Sequence, residues 1–228
     1  MRWLKLQVHV QHRNLCDLFS NNKFCKPRPG ASYSNYITVV QPFTPSATLE
    51  SKKTNLRIAS SRIRRYIIYP GEVFSFWRCV GNPNTKEFAC SRGIRSGVLQ
   101  IERGGGLCQA SGIIHHLSLI GGLEIIERYN HSKDLYTEET RFCPLGSDAT
   151  VAYGYRDLRV KNITDSKLYF ELTIGEKEFT GRLYSERLIK NHDIGFEYEE
   201  LPGNILKAKT IDKESGKILY TSIYEKMC

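Results

Sequence analysis

The sequence predicts an α+β fold: a central helix headed by Cys108, packed on an antiparallel β-sheet, with an irregular segment at the N-terminus. Three observations predict it. Gly104-Gly105-Gly106 opens directly into Cys108 and an apolar run in which Leu107, Ala110, Ile113, Ile114, Leu117 and Ile120 recur at helical spacing. From Leu123 onward, short stretches with the period of a strand alternate with turn residues. Before residue 50, Pro27, Pro29, Pro42 and Pro45 interrupt any long periodic pattern.

The elements follow in order. Residues 1–50 read as an irregular appendage, with turn chemistry at Asn21-Asn22-Lys23 and Arg28-Pro29-Gly30 and a short strand over Tyr36–Val40. Residues 51–68 read as a helix capped by Ser51 or Thr54. Leu56, Ala59, Ile63 and Ile67 form its inner face, and Lys52, Arg57, Arg62 and Arg65 a solvated one. Tyr69-Pro70-Gly71-Glu72 turns into a half-buried strand over Val73–Trp77; residues 79–84 are a loop, and 85–100 a loop or short strand. The helix over residues 108–120 is stopped by Gly121-Gly122. A strand over Leu123–Tyr129 delivers Asn130 and His131, and a polar segment covers 132–142. A turn over Cys143–Asp148 leads into a strand over Ala149–Tyr153. Strands over Leu158–Lys161, Leu168–Ile174 and Glu178–Tyr184 read as an antiparallel meander. The charged remainder holds short strands near 194–198, 206–211 and 218–224. The organisation is an appendage over 1–50, an α+β domain over 51–186 and a charged C-terminal extension over 187–228.

At 228 residues, 40% hydrophobic and 25% charged, the chain is long and apolar enough for a real core. Lys and Arg exceed Asp and Glu by 33 to 24, a net charge of +9, which suits acidic partners. The basic residues are dispersed and accompany no nucleic-acid motif, so nucleic acid is not an expected partner. The glycine stretch lacks a Gly-Lys-Ser/Thr ending and a dinucleotide fingerprint, and no cofactor is expected. Seven cysteines, an odd number without a Cys-x-x-Cys pair, fit a reducing compartment better than a disulfide framework. With no apolar leader and no membrane span in the sequence, the expectation is a cytoplasmic protein.

The chemistry centres on Cys108. At a helix start, unpaired N–H groups and the positive end of the macrodipole favour a thiolate. Cys108, His131 and Asp148 make a nucleophile, a base and an orienting carboxylate in chain order, the arrangement that papain-like and transglutaminase-like folds build. His131 would take the thiol proton, Asp148 would fix the imidazole, and N–H groups near Cys108 would face an oxyanion. Gly104, Gly105 and Gly106 are candidate binding positions because bare backbone admits close approach; Gln109 or Ser111 can add a side-chain donor. The substrate of such a site is an amide or ester. Each member also has a structural reading: a small buried thiol, a turn-capping histidine, an aspartate bonded to its own backbone. A metal held by Cys108, His115 and His131 is a further alternative, without a recognised zinc spacing. Glu124, Glu127 and Arg128 read as a solvated strand edge, and Tyr153 and Tyr155 as ordinary strand aromatics.

The string Pro70-Gly-Glu-Val-Phe-Ser-Phe76, Val80-Gly81, Gly104-Gly-Gly-Leu-Cys-Gln-Ala-Ser111, Glu127-Arg128 with His131, Pro144-Leu-Gly-Ser-Asp-Ala-Thr-Val151 and Asp157-Leu-Arg-Val-Lys-Asn162 resembles the VanW family in order and spacing. The resemblance covers roughly 51–186; His115-His116 departs from it locally. It implies an association with glycopeptide resistance or peptidoglycan metabolism and no settled reaction. The implied partner is a peptidoglycan precursor or related peptide. The chain would either cut or transfer one of its amide or ester bonds, or bind it without catalysis.

Overall fold

The chain is described by a computed structural model covering residues 2–95, 98–134 and 143–226. Its α+β class is as the sequence predicts, with several antiparallel sheets around few helices. Helix α1 (Arg2–Phe19) leads to β1 (Lys23–Phe24), β2 (Asn35–Pro42) and α2 (Leu49–Ile63). Next come β3 (Glu72–Ser75), the short α3 (Phe76–Val80), the hairpin β4 (Cys90–Arg95) and β5 (Val98–Arg103), and α4 (Leu107–Ile120). The chain continues through β6 (Glu124–Glu127), β7 (Lys133–Asp134), β8 (Arg159–Lys161), β9 (Leu168–Ile174) and β10 (Glu178–Ser185). It ends in β11 (Ile194–Leu201), β12 (Ile205–Asp212) and β13 (Lys217–Lys226).

Helix α4 is the spine. Buried residues lie on every side of it, as in a helix enclosed by its own domain. It packs on the antiparallel sheet β2-β10-β9, where Gly181 of β10 makes the close approach possible. A Cβ there would stand 2.9 Å from Ile113 and 3.0 Å from Leu117. Leu56, Ala59 and Ile63 of α2, Phe74, Phe170, Phe179 and Leu183 complete one continuous core. The helix stops at the predicted glycines: Gly122 adopts φ +65°, and the Gly122 and Leu123 N–H groups donate back to Leu119 and Ser118.

Tertiary contacts correct five expectations. The segment expected to be irregular begins with an 18-residue helix, α1. Its sequence has no acidic first turn or basic last turn to announce it. What holds it is remote: Asp17 bonds Arg78 and Arg159, Arg13 bonds Glu127, and Leu6 and Val10 lie over Gly154. The strand expected over Val73–Trp77 ends at Ser75, because Ser75 caps α3 and the buried Asp157 accepts from Ser75 Oγ (2.6 Å) and Trp77 N–H (3.1 Å). Helix α2 is preceded by Thr48, not capped by Ser51 or Thr54; the Thr54 hydroxyl bonds Glu50 O instead. The expected meander divides: β10 pairs with β9 on one side and with β2 on the other, while β8 lies between β3 and β6. Ala149–Tyr153 is not a strand, since Thr150 and Ala152 spend their N–H groups on Tyr129 and Arg156 in loop contacts. Most of the polar segment 132–142 lies outside the described residues.

The C-terminal strands are longer than the sequence suggests and form one antiparallel sheet, β11-β12-β13, to which β7 adds in parallel. A small cluster of Leu145, Leu206, Ala208 and Tyr224 joins that sheet to the loop before Asp148.

Candidate active site

The glycine turn places Cys108 in the first turn of α4. Gly104 (φ +77°) and Gly106 (φ +94°) hold backbone conformations that disfavour side chains. Gly105 is required for a different reason: a Cβ would lie 2.4 Å from Ser91 O and 2.7 Å from Arg92 O of β4. Asn55, fully buried on α2, donates to the carbonyls of Gly105 (2.9 Å) and Ala89 (3.1 Å) and accepts from Ala89 N–H (2.8 Å). The close approach expected at the three glycines is thus made by the chain itself. Gly104 meets Pro83, Gly105 meets the β4 backbone, and Gly106 lies under the stem of Lys52. Gly105→Ala must push backbone against backbone, and we expect a loss of about 1–3 kcal/mol, read as a lower thermal midpoint.

Cys108 is half-buried. Its Sγ lies 3.5 Å from Thr150 Oγ1 and 3.7 Å from Val151 O, and the neighbouring His131 ring acts on the thiol to lower its pKa. His131 follows β6 in a loop, with its Nδ1 2.7 Å and its backbone N 2.9 Å from Asp148 Oδ2. A carboxylate only accepts, so Nδ1 carries the proton and Nε2 is the nitrogen left for the thiol. His131 keeps 19% of its side chain exposed and Asp148 10%, so the site can be reached from solvent.

Four donors surround Asp148. Two are on His131; on Oδ1, Arg128 donates at 2.8 Å and the Tyr224 hydroxyl at 2.5 Å. Arg128 is itself buried, and also donates to Asp148 O (2.8 Å), Gly146 O (3.3 Å) and Ser222 Oγ (2.6 Å). It is therefore no part of a solvated strand edge, as the sequence suggests. Glu127 likewise faces inward, bonded to Arg13, Arg159 and the Asp157 N–H.

The electrostatics follow. Burial pushes the Asp148 carboxyl up, but His131 and Arg128 more than offset this and hold it ionised, well below the usual range. Burial opposes the His131 imidazolium, yet Asp148 and Cys108 raise its pKa to about 10. Burial also raises the Cys108 thiol; the His131 contact dominates in the opposite sense and, with Val151 and Thr150, leaves it below the ordinary thiol value. Both shifts act in the same sense, favouring the thiolate and the imidazolium over the neutral thiol and imidazole. Lys52, whose stem crosses Gly106, adds a cation lowered to about 8 by burial and Arg92, against the attraction of Cys108.

Of the predicted site residues, Cys108, His131 and Asp148 come together. Ser111 is engaged, its hydroxyl donating to Ala149 O at 2.6 Å. Gln109 is buried with no partner for either amide atom among the described residues. His115 cannot join a metal set: Nδ1 donates to Ser147 O (2.7 Å), and Nε2 accepts from the Tyr220 hydroxyl (2.5 Å). Burial lowers its pKa to about 3. His192, Asp212 and Glu214 gather at the other end of α4, where Glu214 is already ion-paired with Lys190. The sequence reading misses Lys52, Arg128, Thr150 and Tyr224. Arg128 and Thr150 carried a signal, their places in the motif segments that also hold His131 and Asp148.

Comparison with known proteins follows the same residues. The family model described as VanW like protein matches residues 51–184. The vancomycin B-type resistance protein VanW of Enterococcus faecalis is 32% identical over 140 residues, 60% of this chain and 50% of that protein. The uncharacterized protein YoaR of Bacillus subtilis is 32% identical over 114 residues, 50% of this chain and 36% of that protein. The chain thus spans half or less of the length of these relatives. No solved structure matches it significantly. Among the described residues, no helix is long and apolar enough to cross a membrane.

Proposed function

The chain belongs to the VanW family, and from that premise we propose that it is a cysteine-dependent hydrolase or acyltransferase acting on an amide or ester bond of a peptidoglycan precursor or related peptide. The family's link to vancomycin resistance motivates the substrate class, because a relative bears that name. The observation that carries the chemistry is the His131 ring, bonded to Asp148 Oδ2 through Nδ1 and near enough to the Cys108 thiol to lower its pKa.

In this reading the Cys108 thiolate adds to the carbonyl carbon. The oxyanion that forms faces the N–H groups opening α4, with Gln109 as the candidate side-chain donor. His131 Nε2–H gives its proton to the departing nitrogen or oxygen as the C–N or C–O bond breaks, leaving a thioester on Cys108. Water or an acceptor amine, deprotonated by His131, then breaks the thioester and restores the thiol. Thiolate and imidazolium are both needed. Turnover should rise as pH passes the lowered thiol midpoint and fall as pH passes about 10, where His131 loses its proton.

A second reading, a binding module without catalysis, draws on Lys52 beside the start of α4, where a cation and a helix N-terminus together suit a carboxylate. Cys108→Ser discriminates. Cleavage of precursor peptides should drop about 1000-fold or more while their affinity stays within about twofold. Binding with no turnover in the wild type would favour the module, and turnover unchanged in Cys108→Ser would remove Cys108 as the nucleophile.

A further inference from the structure

We propose that the C-terminal sheet is a working part of the site, with Tyr224 of β13 as the positioning residue for Asp148. The proposal rests on the catalytic reading and extends it beyond the family segment, which ends at residue 184, whereas β11 starts at Ile194.

The argument begins with the loops. Neither His131 nor Asp148 lies on a strand, and a loop carboxylate needs outside partners to keep one orientation. The His131 loop is tied to β13: Asn130 Nδ2 donates to Ile223 O (2.8 Å), the Glu225 N–H to Ser132 O (2.9 Å), and β7 pairs in register with Glu225 and Lys226. The Asp148 loop is tied to the same sheet. Gly146 N–H donates to the Tyr224 hydroxyl (2.9 Å), and Thr210 Oγ1 donates to Gly146 O (3.3 Å). Gly146 (φ +94°) packs so closely that a Cβ would lie 2.7 Å from that hydroxyl of Thr210.

Tyr224 is central to this platform. It is fully buried, accepts from Gly146 and donates to Asp148 Oδ1 at 2.5 Å. Its hydroxyl therefore reads the loop backbone on one side and orients the carboxylate on the other. The same strand controls the second donor to Oδ1. Ser222 accepts from Arg128, and the Tyr220 ring lies 5.0 Å from its guanidinium carbon. Tyr220 in turn bonds His115 of α4, linking the sheet to the helix that carries Cys108. With Oδ1 held by Arg128 and Tyr224, Oδ2 is aimed at His131. Without the phenol the carboxylate can turn about its last side-chain bond, and the imidazolium loses its countercharge part of the time.

The test is the pH profile of Cys108 alkylation by iodoacetamide in the full chain, read at the Cys108 peptide by mass spectrometry. Tyr224→Phe keeps the buried ring and removes the hydroxyl. The expected result is a midpoint displaced to higher pH and alkylation on the acidic side slowed about three- to tenfold. Tyr198→Phe removes a hydroxyl of the same sheet that donates to Leu145 O and not to Asp148, and it should match the wild type. A Tyr224→Phe profile that superimposes on the wild type or moves to lower pH overturns the proposal, as does an equal shift in Tyr198→Phe. If Tyr224→Phe loses its native melting transition, Ser222→Ala replaces it and must shift the midpoint in the same direction. His131→Ala separates the two levels. If the wild-type thiol is already ordinary and His131→Ala changes nothing, the catalytic reading falls and this inference with it. If His131→Ala raises the midpoint and Tyr224→Phe does not, only the role of Tyr224 is lost.

Discussion

At about pH 6, Cys108 is expected to react with iodoacetamide about 10- to 100-fold faster in the wild type than in His131→Ala. The sign follows from the opposing effects on the thiol. Burial alone raises its pKa; the His131 imidazolium lowers it and prevails. With His131 gone, burial acts without its opponent and the thiolate fraction collapses on the acidic side. Below its pKa a thiol loses about tenfold in thiolate for each unit of pH, and part of that loss is offset because a more basic thiolate is more nucleophilic. The two profiles should therefore diverge most at low pH and converge where both thiols are ionised. Near pH 10 the wild type has one further change, the loss of the imidazolium proton. That step should suppress turnover, which needs a proton donor, more than alkylation, which does not. Parallel profiles at all pH values would mean that Cys108 and His131 are neighbours without being a pair.

Arg128→Met is expected to be the most destabilising single change in the site, by about 3–5 kcal/mol, because it strands an ionised, buried Asp148. For a chain of this size the thermal midpoint should fall on the order of 10 °C. Methionine keeps much of the arginine stem's volume, so the loss reports the charge and its hydrogen bonds rather than a cavity. Asp148→Asn in the Arg128→Met background should recover part of the stability, since the orphaned charge is then gone. It should not recover the reactivity of Cys108, because a neutral amide cannot stabilise the imidazolium. A double variant as unstable as Arg128→Met would assign the loss to Gly146 O and Ser222, which Arg128 also holds, rather than to Asp148.

Much of the scaffold was legible because it rests on local rules. Helical spacing, a glycine turn before it and paired glycines after it announce α4, and its bounds differ from the predicted ones by a single residue at the start. Strands β9 and β10 show the same agreement, since a turn between two alternating segments specifies a hairpin from neighbouring residues alone. The motif also brought Cys108, His131 and Asp148 into one hypothesis, by order and residue type.

What the amino-acid order could determine by itself was therefore the Cys-headed helix, the hairpin beside it and the three residues to suspect. Only the tertiary structure decided their surroundings. Helix α1 is held by ion pairs to residues more than sixty positions away, so its own pattern is silent. Arg128 looks like surface charge in sequence because nothing nearby shows that Asp148 will be buried against it. Tyr224 lies 76 residues from the carboxylate it orients. Periodicity reports which face of an element is apolar; it does not report which remote polar group will meet that face. The pKa values of a thiol, an imidazole and a carboxylate depend on burial and on charges within a few ångströms. Those distances exist only once the C-terminal sheet has folded against the loops that carry His131 and Asp148.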